Sequence, residues 1–270
     1  MFIQRNYMMC NSLNRINLRL ITFGYARLEE SLRRAVSGCP FSRLYLILKG
    51  SMYVKTAEGD MVELTEGDGY LVPAGAKIEY ICIDPVEYLF FHIKWSGFDE
   101  LDLLRRCKNT LCHLGKVDWM QAALQLIQKE SQNPADGIWL KNEIDSLVLD
   151  CVEAYGIDLQ EPEYSECTKR GIRYIKENLS ADFNVDDVAE QALVARSTIT
   201  RFFHNEVHLS ITDYVYELLW TEACRLLNNG NLSVLKISEE LGFSEQGFFS
   251  RQFNDRLKIR PGQFRSQPLI

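Results

Sequence analysis

The feature that most constrains this chain is one helical pattern that occurs twice in its C-terminal part. The first copy, residues 185–214, reads VDDVAEQALVARSTITRFFHNEVHLSITDY, and the second, residues 234–264, reads VLKISEELGFSEQGFFSRQFNDRLKIRPGQF. Small, apolar and basic residues stay in register, which indicates one supersecondary unit used twice. The matches are Ala189 with Ser238 at an offset of 49, and Ile199 with Phe249, Arg201 with Arg251, Phe203 with Phe253 and Tyr214 with Phe264 at 50.

Each copy has the pattern of a helix-turn-helix. A short helix is predicted at residues 185–192 and again at 234–241, and each carries a small residue where a second helix must approach closely. A turn of three or four residues then leads to a longer helix with its own apolar stripe. A bundle of similar helices is the alternative for one copy alone, but two copies in register favour two helix-turn-helix units.

Local signals mark the helix ends and one turn. Asn184, with Asp187 three residues later, is a predicted N-cap with a partial capping box, and Ser233 and Ser244 are predicted N-caps as well. Gly242 suits the positive φ that a tight helical turn often requires.

Residues 165–267 resemble the DNA-binding module of AraC/XylS-type transcription regulators. The resemblance is strongest in LSVLKISEELGFSEQGFFSRQF and in RPGQFR at residues 260–265. It includes both helix-turn-helix units, their spacing, and a linker helix expected at residues 211–227 that ends in the family's A..LL pattern, here Ala223, Leu226 and Leu227.

The chain departs from the family pattern at several positions. His208 and Lys258 replace the glycine after each recognition helix, Leu193 replaces the first-turn glycine, Leu219 an arginine of the linker helix, and Ala195 a capping serine. A lost cap or a non-glycine residue in a left-handed position costs about 1 kcal/mol. The fold is therefore expected to survive, and the departures bear on how tightly the first unit binds.

The resemblance and the helical periodicity together place the DNA contacts on the polar face of each second helix. Arginine can bond bidentately to guanine and glutamine to adenine in the major groove. A solvated surface residue or a phosphate contact is the alternative for any one position. The predicted DNA-binding residues are Ser197, Thr200, Arg201 and His204 in the first unit and Gln246, Gly247, Ser250, Arg251 and Asn254 in the second.

The N-terminal part consists of short β-rich runs punctuated by Gly and Pro, which is typical of a barrel or sandwich. Gly67, Pro73 and Gly75 give the spacing G-x5-P-x-G, which resembles the second half-motif of cupins. The resemblance implies a cupin-like sensor barrel joined to the DNA-binding module. The expected fold class is α+β, with a cupin-like β-barrel and flanking helices followed by an all-α double helix-turn-helix domain.

The histidines of metal-binding cupins are missing. Ile78 occupies the position of one, and no H-x-H pair exists among the 4 histidines. Cys107, Cys112 and His113 are close in sequence, but three candidates without a fourth are more often ordinary residues. We therefore expect no metal, no cofactor and no catalytic residues.

Alternation within strands groups the candidate effector residues on common faces, and the family resemblance implies that the face of Arg43, Tyr45 and Ile47 points into the barrel. Arg43, Tyr45 and Ile47 share one strand face, and His92 and Lys94 share a face of another strand. Polar groups beside an aromatic platform suit a hydroxylated effector such as a sugar. Exposed residues of a half-buried strand are the alternative for each of them.

Helices are predicted at residues 119–132 and 138–155. Leu124, Ile127, Ile144, Leu147 and Val148 follow helical spacing, continued by Cys151 and Val152. This stripe either packs on the barrel or, as the resemblance implies, forms a dimer interface. The expected domains are residues 1–116 for effector sensing, 117–160 for dimerisation and linkage, and 165–270 for DNA binding, with an acidic linker at 156–166.

Charge does not oppose DNA binding. The net charge is −7, but residues 166–270 hold 13 Lys/Arg against 14 Asp/Glu, a balance of −1, and local arrays make phosphate contacts. Eight scattered cysteines without a C-x-x-C pair, no secretory signal in MFIQRNYMMCNSLNR and no long apolar run predict a cytoplasmic protein. The expected partners are double-stranded DNA, a small effector, a second copy in a homodimer and RNA polymerase, with no membrane.

Two function classes follow. The favoured one is a ligand-responsive, sequence-specific transcription regulator, and the alternative is a cupin-type sugar-processing enzyme with a helical tail. A regulator that has lost its ligand response is a third reading that the residues leave open.

Overall fold

A computed structural model of the chain describes residues 17–29, 31–36, 38–160 and 162–266. The interpretation of the first fifteen residues as lacking a secretory signal lies outside the described residues. The chain divides into two compact units between Leu159 and Gln160, inside the segment expected to link them. The two units are described separately.

In its described residues, the N-terminal compact unit consists of nine antiparallel strands in two sheets. A five-stranded sheet has the order β1-β8-β3-β6-β9, and a four-stranded sheet has the order β2-β7-β4-β5. This arrangement agrees with the predicted cupin-like architecture. The strands are β1 Asn17–Leu28, β2 Leu32–Val36, β3 Ser42–Lys49, β4 Ser51–Thr56, β5 Met61–Thr65, β6 Asp68–Val72, β7 Ile78–Cys82, β8 Val86–Ser96 and β9 Cys112–Lys116.

The glycines of the predicted half-motif form the turns around β6. Gly67 and Gly75 have φ of +85° and +81°, in the left-handed region that glycine adopts at least cost. Their N–H groups donate to Ile47 O and Cys39 O at 2.8 Å each, which ties both ends of β6 to its surroundings. Ile78, at the position of the cupin histidine, begins β7 and is buried.

Two helices cover the larger sheet: α1, Met120–Gln128, and α2, Pro134–Tyr155. The predicted apolar stripe of α2, residues Ile144, Leu147, Val148 and Cys151, packs into one core with the outer face of the larger sheet, including Leu44, Leu46 and Phe91. The stripe is therefore mainly part of the barrel's own core. A short 3-10 helix, Leu103–Arg106, precedes β9.

Cys107, Cys112 and His113, the three suggested metal ligands, do not point at one common site. His113 Nε2 lies 2.8 Å from Asp68 Oδ2, across the β6–β9 pair. The Cys107 and Cys112 sulfurs lie 3.5 Å apart, with Cys112 buried in the core under α2. Within the described part of the chain, no group of three or more His, Cys, Asp or Glu side chains could hold a metal ion. Within the same part, no helix is long and apolar enough to cross a membrane.

The C-terminal compact unit is all helical in its described residues. Its helices are α3 Glu166–Glu177, α4 Val185–Gln191, α5 Arg196–Phe202, α6 Ile211–Asn228, α7 Val234–Glu240, α8 Gln246–Leu257 and α9 Pro261–Ser266. α5 continues directly into one π-helical turn, Phe203–Val207. The pairs α4–α5 and α7–α8 are the two predicted helix-turn-helix units, and α6 is the predicted linker helix.

Most of the predicted helix caps are confirmed. Asn184 Oδ1 accepts a hydrogen bond from Asp186 N at 3.0 Å, and Ser233 Oγ accepts one from Lys236 N at 3.1 Å. The prediction for Ser244 is wrong, because α8 begins one residue later and its N-cap position is Glu245, whose side chain makes no capping hydrogen bond. Ser244 is solvent-exposed beside this start.

The residues that replace the family's glycines have left-handed backbone conformations. Leu193, His208 and Lys258 have φ of 58°, 58° and 57°, and Gly242 keeps its glycine at φ 75°. An L-residue with a Cβ is strained in this region by about 1–2 kcal/mol.

We expect Lys258→Gly to stabilise the second unit by about 0.5–1 kcal/mol, because relief of this strain exceeds the added freedom of glycine in the unfolded chain. Lys236→Gly is the matched control, since Lys236 lies inside helix α7 and glycine there should destabilise by about 1 kcal/mol. Urea unfolding of both variants measures the difference, and equal destabilisation by both would contradict the strain at Lys258.

Candidate DNA-binding interface and effector site

One long helix holds the two helix-turn-helix units in a fixed arrangement. Near the start of α6, Tyr214 packs edge-on against Phe203 of the first unit, with ring centroids 5.6 Å apart. Farther along α6, Trp220 contacts Phe249 and Phe253 of the second unit, each at 6.2 Å. Because all five of these aromatic side chains are buried, α6 is part of both cores and couples the positions of the two recognition helices.

A second connection joins the turn of the second unit to the loop after α3. Ala181 N donates to Leu241 O at 2.8 Å. Gly242 lies directly against Ser180, where any Cβ would collide with the Ser180 Oγ at 1.9 Å. Glycine is therefore required at position 242 by both its φ and this close approach.

The small residues of the repeat lie where the helices cross. Ala189 and Ser238 are 5% and 1% exposed in the two short helices. In the first unit, Gly171 of α3 lies against Phe203, Val188 and Ile199, and a Cβ on it would meet Phe203 at 3.1 Å. Gly171 was not singled out from the sequence, because the helix that contains it, Glu166–Glu177, was not predicted.

The apolar faces of the recognition helices point inward, as predicted. Ile199, Phe203, Phe249 and Phe253 are fully buried, and Phe202 is half-buried. The opposite faces are open to solvent. Exposed on them are Ser197, Thr200, Arg201, His204, Gln246, Gly247 and Arg251, with Ser250 and Asn254 partly exposed.

The predicted residues of the first unit share one surface depression. Ser197, Thr200, Arg201 and His204 line it, together with Arg196 and Asn205. Arg196 Nη1 also pairs with Asp186 Oδ2 at 2.8 Å. The sequence analysis missed Arg196 and Asn205, which spacing could have found, because they lie four residues from Thr200 and Arg201 respectively.

The equivalent arginines Arg201 and Arg251 carry free charges. Neither forms an ion pair with a carboxylate of the described residues. The Arg201 guanidinium lies 5.7 Å from the centroid of the Phe202 ring, and Arg251 Nη1 lies 3.6 Å from where a Cβ on Gly247 would be. Both guanidiniums are therefore available for base edges or phosphates.

The two recognition helices differ at their ends. His204 lies in the π-helical turn Phe203–Val207, whereas the equivalent Asn254 lies in regular α-helix. A π turn holds more residues per turn than an α turn. His204 is therefore displaced around its helix relative to Asn254, and the two units do not present their last polar residue in the same way.

In the N-terminal compact unit, the predicted effector residues are enclosed between the sheets. Arg43, Tyr45, Ile47 and His92 have no exposed surface, and Lys94 is 4% exposed. They alternate along β3 and β8 with Leu44, Leu46 and Phe91, which belong to the core under α1 and α2. The Tyr80 hydroxyl of the opposite sheet donates to the Tyr45 hydroxyl at 2.7 Å, so this face looks into the barrel.

Aromatic rings surround this group. Tyr45 contacts the rings of Tyr80 and Tyr88 at 5.6 and 5.9 Å, and His92 stacks on Phe41 at 5.1 Å. Tyr80 and Tyr88 were not among the effector residues predicted from the sequence. The signal for Tyr88 was its position four residues before His92 on one strand face, while Tyr80 is brought close by pairing between distant strands.

Burial sets the protonation of these side chains. It raises the pKa of Tyr80 to about 12 and that of Tyr45 well above its usual range, so both phenols are neutral donors near neutral pH. Asp102, whose carboxylate interacts electrostatically with Lys94, accepts hydrogen bonds from Ser42 N at 2.8 Å and Ser42 Oγ at 2.7 Å. Burial raises the pKa of Asp102 to about 6.

Known proteins resemble both the helical part and the chain as a whole. A family model described as a helix-turn-helix domain matches residues 188–267. The chain is 23% identical over 234 residues to the Msm operon regulatory protein of Streptococcus mutans, covering 83% of this chain and 84% of that protein. It is 24% identical over 233 residues to the lactose operon transcription activator of Staphylococcus xylosus, covering 83% of each.

A solved structure matches nearly the whole chain. ToxT from Vibrio cholerae, crystallised with an unsaturated fatty acid, superposes with a TM-score of 0.64 at 11% identity, covering 98% of this chain and 97% of that one. At this identity the likeness shows the fold alone. The N-terminal unit is cupin-like, and the C-terminal unit is a double helix-turn-helix domain.

Proposed function

We propose that this chain is a transcription regulator of the AraC/XylS type, which its helix-turn-helix match and its whole-length relatives support. It changes transcription when a small metabolite, a sugar or close relative of one, binds in its barrel. The observation that carries the DNA-binding part is the pair Arg201 and Arg251. They are exposed at equivalent places on two recognition helices that α6 holds in one unit. The protein acts in the cytoplasm, with RNA polymerase as a further partner.

Nine residues are proposed to contact DNA, eight through their side chains and Gly247 through its backbone. Arginine pairs with guanine O6 and N7, glutamine with adenine, and hydroxyls with either bases or phosphates. Gly247 lets the backbone of α8 and the Arg251 side chain approach a base closely. The nine are Ser197, Thr200, Arg201, His204, Gln246, Gly247, Ser250, Arg251 and Asn254.

The barrel supplies the effector part of the proposal. Arg43, Tyr45, Ile47, His92 and Lys94 form a polar and aromatic group that is buried between the sheets. Two whole-length relatives are named for the Msm and lactose operons, which supports a sugar-type effector. The domains proposed on this basis are residues 1–116 for sensing, 117–160 for dimerisation and 165–270 for DNA binding.

The experiment that tests this function isolates the DNA that the protein binds in its source cells and sequences it. The expected result is one recurrent asymmetric sequence upstream of metabolic genes, with an affinity that changes when the gene's metabolite is added. Recovery of unrelated sequences, with equal affinity for random DNA, would contradict sequence-specific regulation.

The alternative, a cupin-type sugar-processing enzyme, depends on a metal. We expect no stoichiometric transition metal in the purified protein, because buried Ile78 occupies the ligand position and His113 is engaged with Asp68. Elemental analysis measures this. One tightly held metal per chain, together with turnover of a sugar, would favour the enzyme.

We propose that α2 also carries a two-fold dimer contact, which would let two DNA-binding units engage repeated half-sites. Although most of its apolar stripe packs on the barrel, Ile138 and Leu149 remain 63% and 49% exposed. They are three helical turns apart and therefore lie on one face.

We expect Leu149→Glu to convert a dimer into monomers, because the contact would bury two like charges across the two-fold axis. Ile83→Glu is the matched control, since Ile83 is 65% exposed in the β7–β8 turn, away from α2. Light scattering of the full chain measures the mass. A wild-type monomer at high micromolar concentration, or equal dissociation by both variants, would contradict the α2 contact.

A further inference from the structure

A buried cation without a partner lies at the centre of the barrel. Arg43 is completely enclosed, and its Nε, Nη1 and Nη2 have no hydrogen-bond partner among the described residues. Burying an ionised group without pairing it costs far more than burying a neutral one. Arginine cannot escape this cost by losing its proton.

The neighbours of Arg43 do not neutralise it. The groups that act on its charge are Tyr80, Cys39 and Tyr45, with no carboxylate among the described residues. The Tyr80 ring lies under the guanidinium at 5.9 Å, a cation–π contact that offsets only part of the cost. The two phenols stay neutral at physiological pH.

Other cationic side chains surround the same space. Lys94 shares the inner face of β8 with His92. Arg34, partly exposed on β2, pairs in register with Tyr80 and acts on Tyr88 from the other sheet. The chain as a whole has a net charge of −7, whereas no carboxylate of the described residues acts on the charge of Arg43.

We propose that the effector bound between the two sheets carries a negative charge and that Arg43 binds it. The chemistry is a carboxylate or phosphate on a small hydroxylated molecule, such as a sugar acid or a sugar phosphate. A guanidinium has a planar set of donors that fits either anion bidentately. The Tyr45 hydroxyl, which accepts from Tyr80, is left free to donate to an oxygen of the same molecule. This inference rests on the effector part of the proposed function.

The test compares anionic and neutral probes on the full chain. Inorganic phosphate, glucuronate, glucose 6-phosphate and neutral glucose are each added at equal ionic strength, and the unfolding midpoint is followed. We expect at least one of the three anions to raise the wild-type Tm by about 3 °C or more, since a ligand that binds only the folded state stabilises it. We expect no response to neutral glucose.

The variants separate Arg43 from general salt effects. We expect Arg43→Met to be more stable than the wild type in anion-free buffer, because the uncompensated charge is gone, and to lose the response to the anions. Arg43→Lys should keep a weaker response. Arg27→Met is the control, because its side chain is 55% exposed on β1, and it should respond like the wild type.

No stabilisation by any of the three anions, or equal stabilisation of the wild type and Arg43→Met, overturns the inference. Stabilisation by glucose alone overturns it and leaves a sugar-responsive regulator in place. If an anion acts through Arg43 but leaves operator affinity unchanged, the anion site stands and the effector part of the proposed function fails.

Discussion

The Arg251→Ala variant is expected to bind its operator about 5- to 150-fold more weakly than the wild type, a loss of about 1–3 kcal/mol. Arg251 is exposed at the middle of α8, beside Gly247, and has no carboxylate partner among the described residues. A guanidinium in this place can bond to guanine O6 and N7 together. Removing it would cost both bonds without disturbing the helix.

Arg201→Ala is expected to have a smaller effect of the same kind. Its guanidinium lies near the Phe202 ring, and its helix continues into a π-helical turn. The first unit also carries the non-glycine residues Leu193 and His208 at positive φ. The backbone strain at these residues and the changed course of the recognition helix both lead us to expect that this unit contributes less to DNA affinity.

Titration of labelled operator DNA measures both losses. Arg225→Ala is the matched control, because it also removes one positive charge. Arg225 lies on α6, outside the recognition helices, and pairs with Glu222. We expect this control to lose less than threefold, which is about the limit for an isolated surface change. Equal losses in Arg225→Ala and Arg251→Ala would show that only net charge matters.

The Phe253→Ala variant is expected to lose about 3–5 kcal/mol of stability in the second unit, which is a large share of what a small domain has. Phe253 is fully buried and contacts the rings of Trp220, Phe249 and Phe264. Truncation would leave a cavity between α6, α8 and α9. Because α6 serves both units, we expect specific DNA binding to fall as well.

Hydrogen exchange of peptides from residues 234–266 measures this loss locally, since it reports the free energy of opening for that segment. Phe248→Ala is the control, because Phe248 is 37% exposed and its truncation should cost about 1 kcal/mol or less. If Phe253→Ala exchanges no faster than Phe248→Ala, the aromatic cluster does not hold the second unit together.

The helices of the two repeats and the linker helix could be predicted, because their signals are local, whereas α3 and α9 were not predicted. Asn184 and Ser233 cap their helices through backbone groups two or three residues away, and the repeat fixes the spacing. The error at Ser244 has a local cause too, since neighbouring residues compete for the first helical position. The π-helical turn after Phe202 could not be predicted from the repeat. The equivalent residues of the second helix-turn-helix unit form regular α-helix.

The barrel was less predictable, because its contacts join distant residues. Alternation correctly placed Arg43 and Tyr45 on one face, but it could not show that β3 lies mid-sheet between β8 and β6, with both faces buried. Tyr80 joins the group only through the approach of the two sheets. The same holds for the α2 stripe, whose periodicity was clear but whose partner, the outer face of the larger sheet, was not.

The most direct test of two recognition helices on one rigid unit is a base-by-base binding scan of the operator with the wild type, Arg201→Ala and Arg251→Ala. Two major-groove helices on one face of the duplex have centres about 34 Å, or roughly ten base pairs, apart. Each variant is therefore expected to relax preference at one or two adjacent base pairs, in two segments about ten base pairs apart. Relaxation of the same base pairs by both variants, or an unchanged preference in both, would contradict the account.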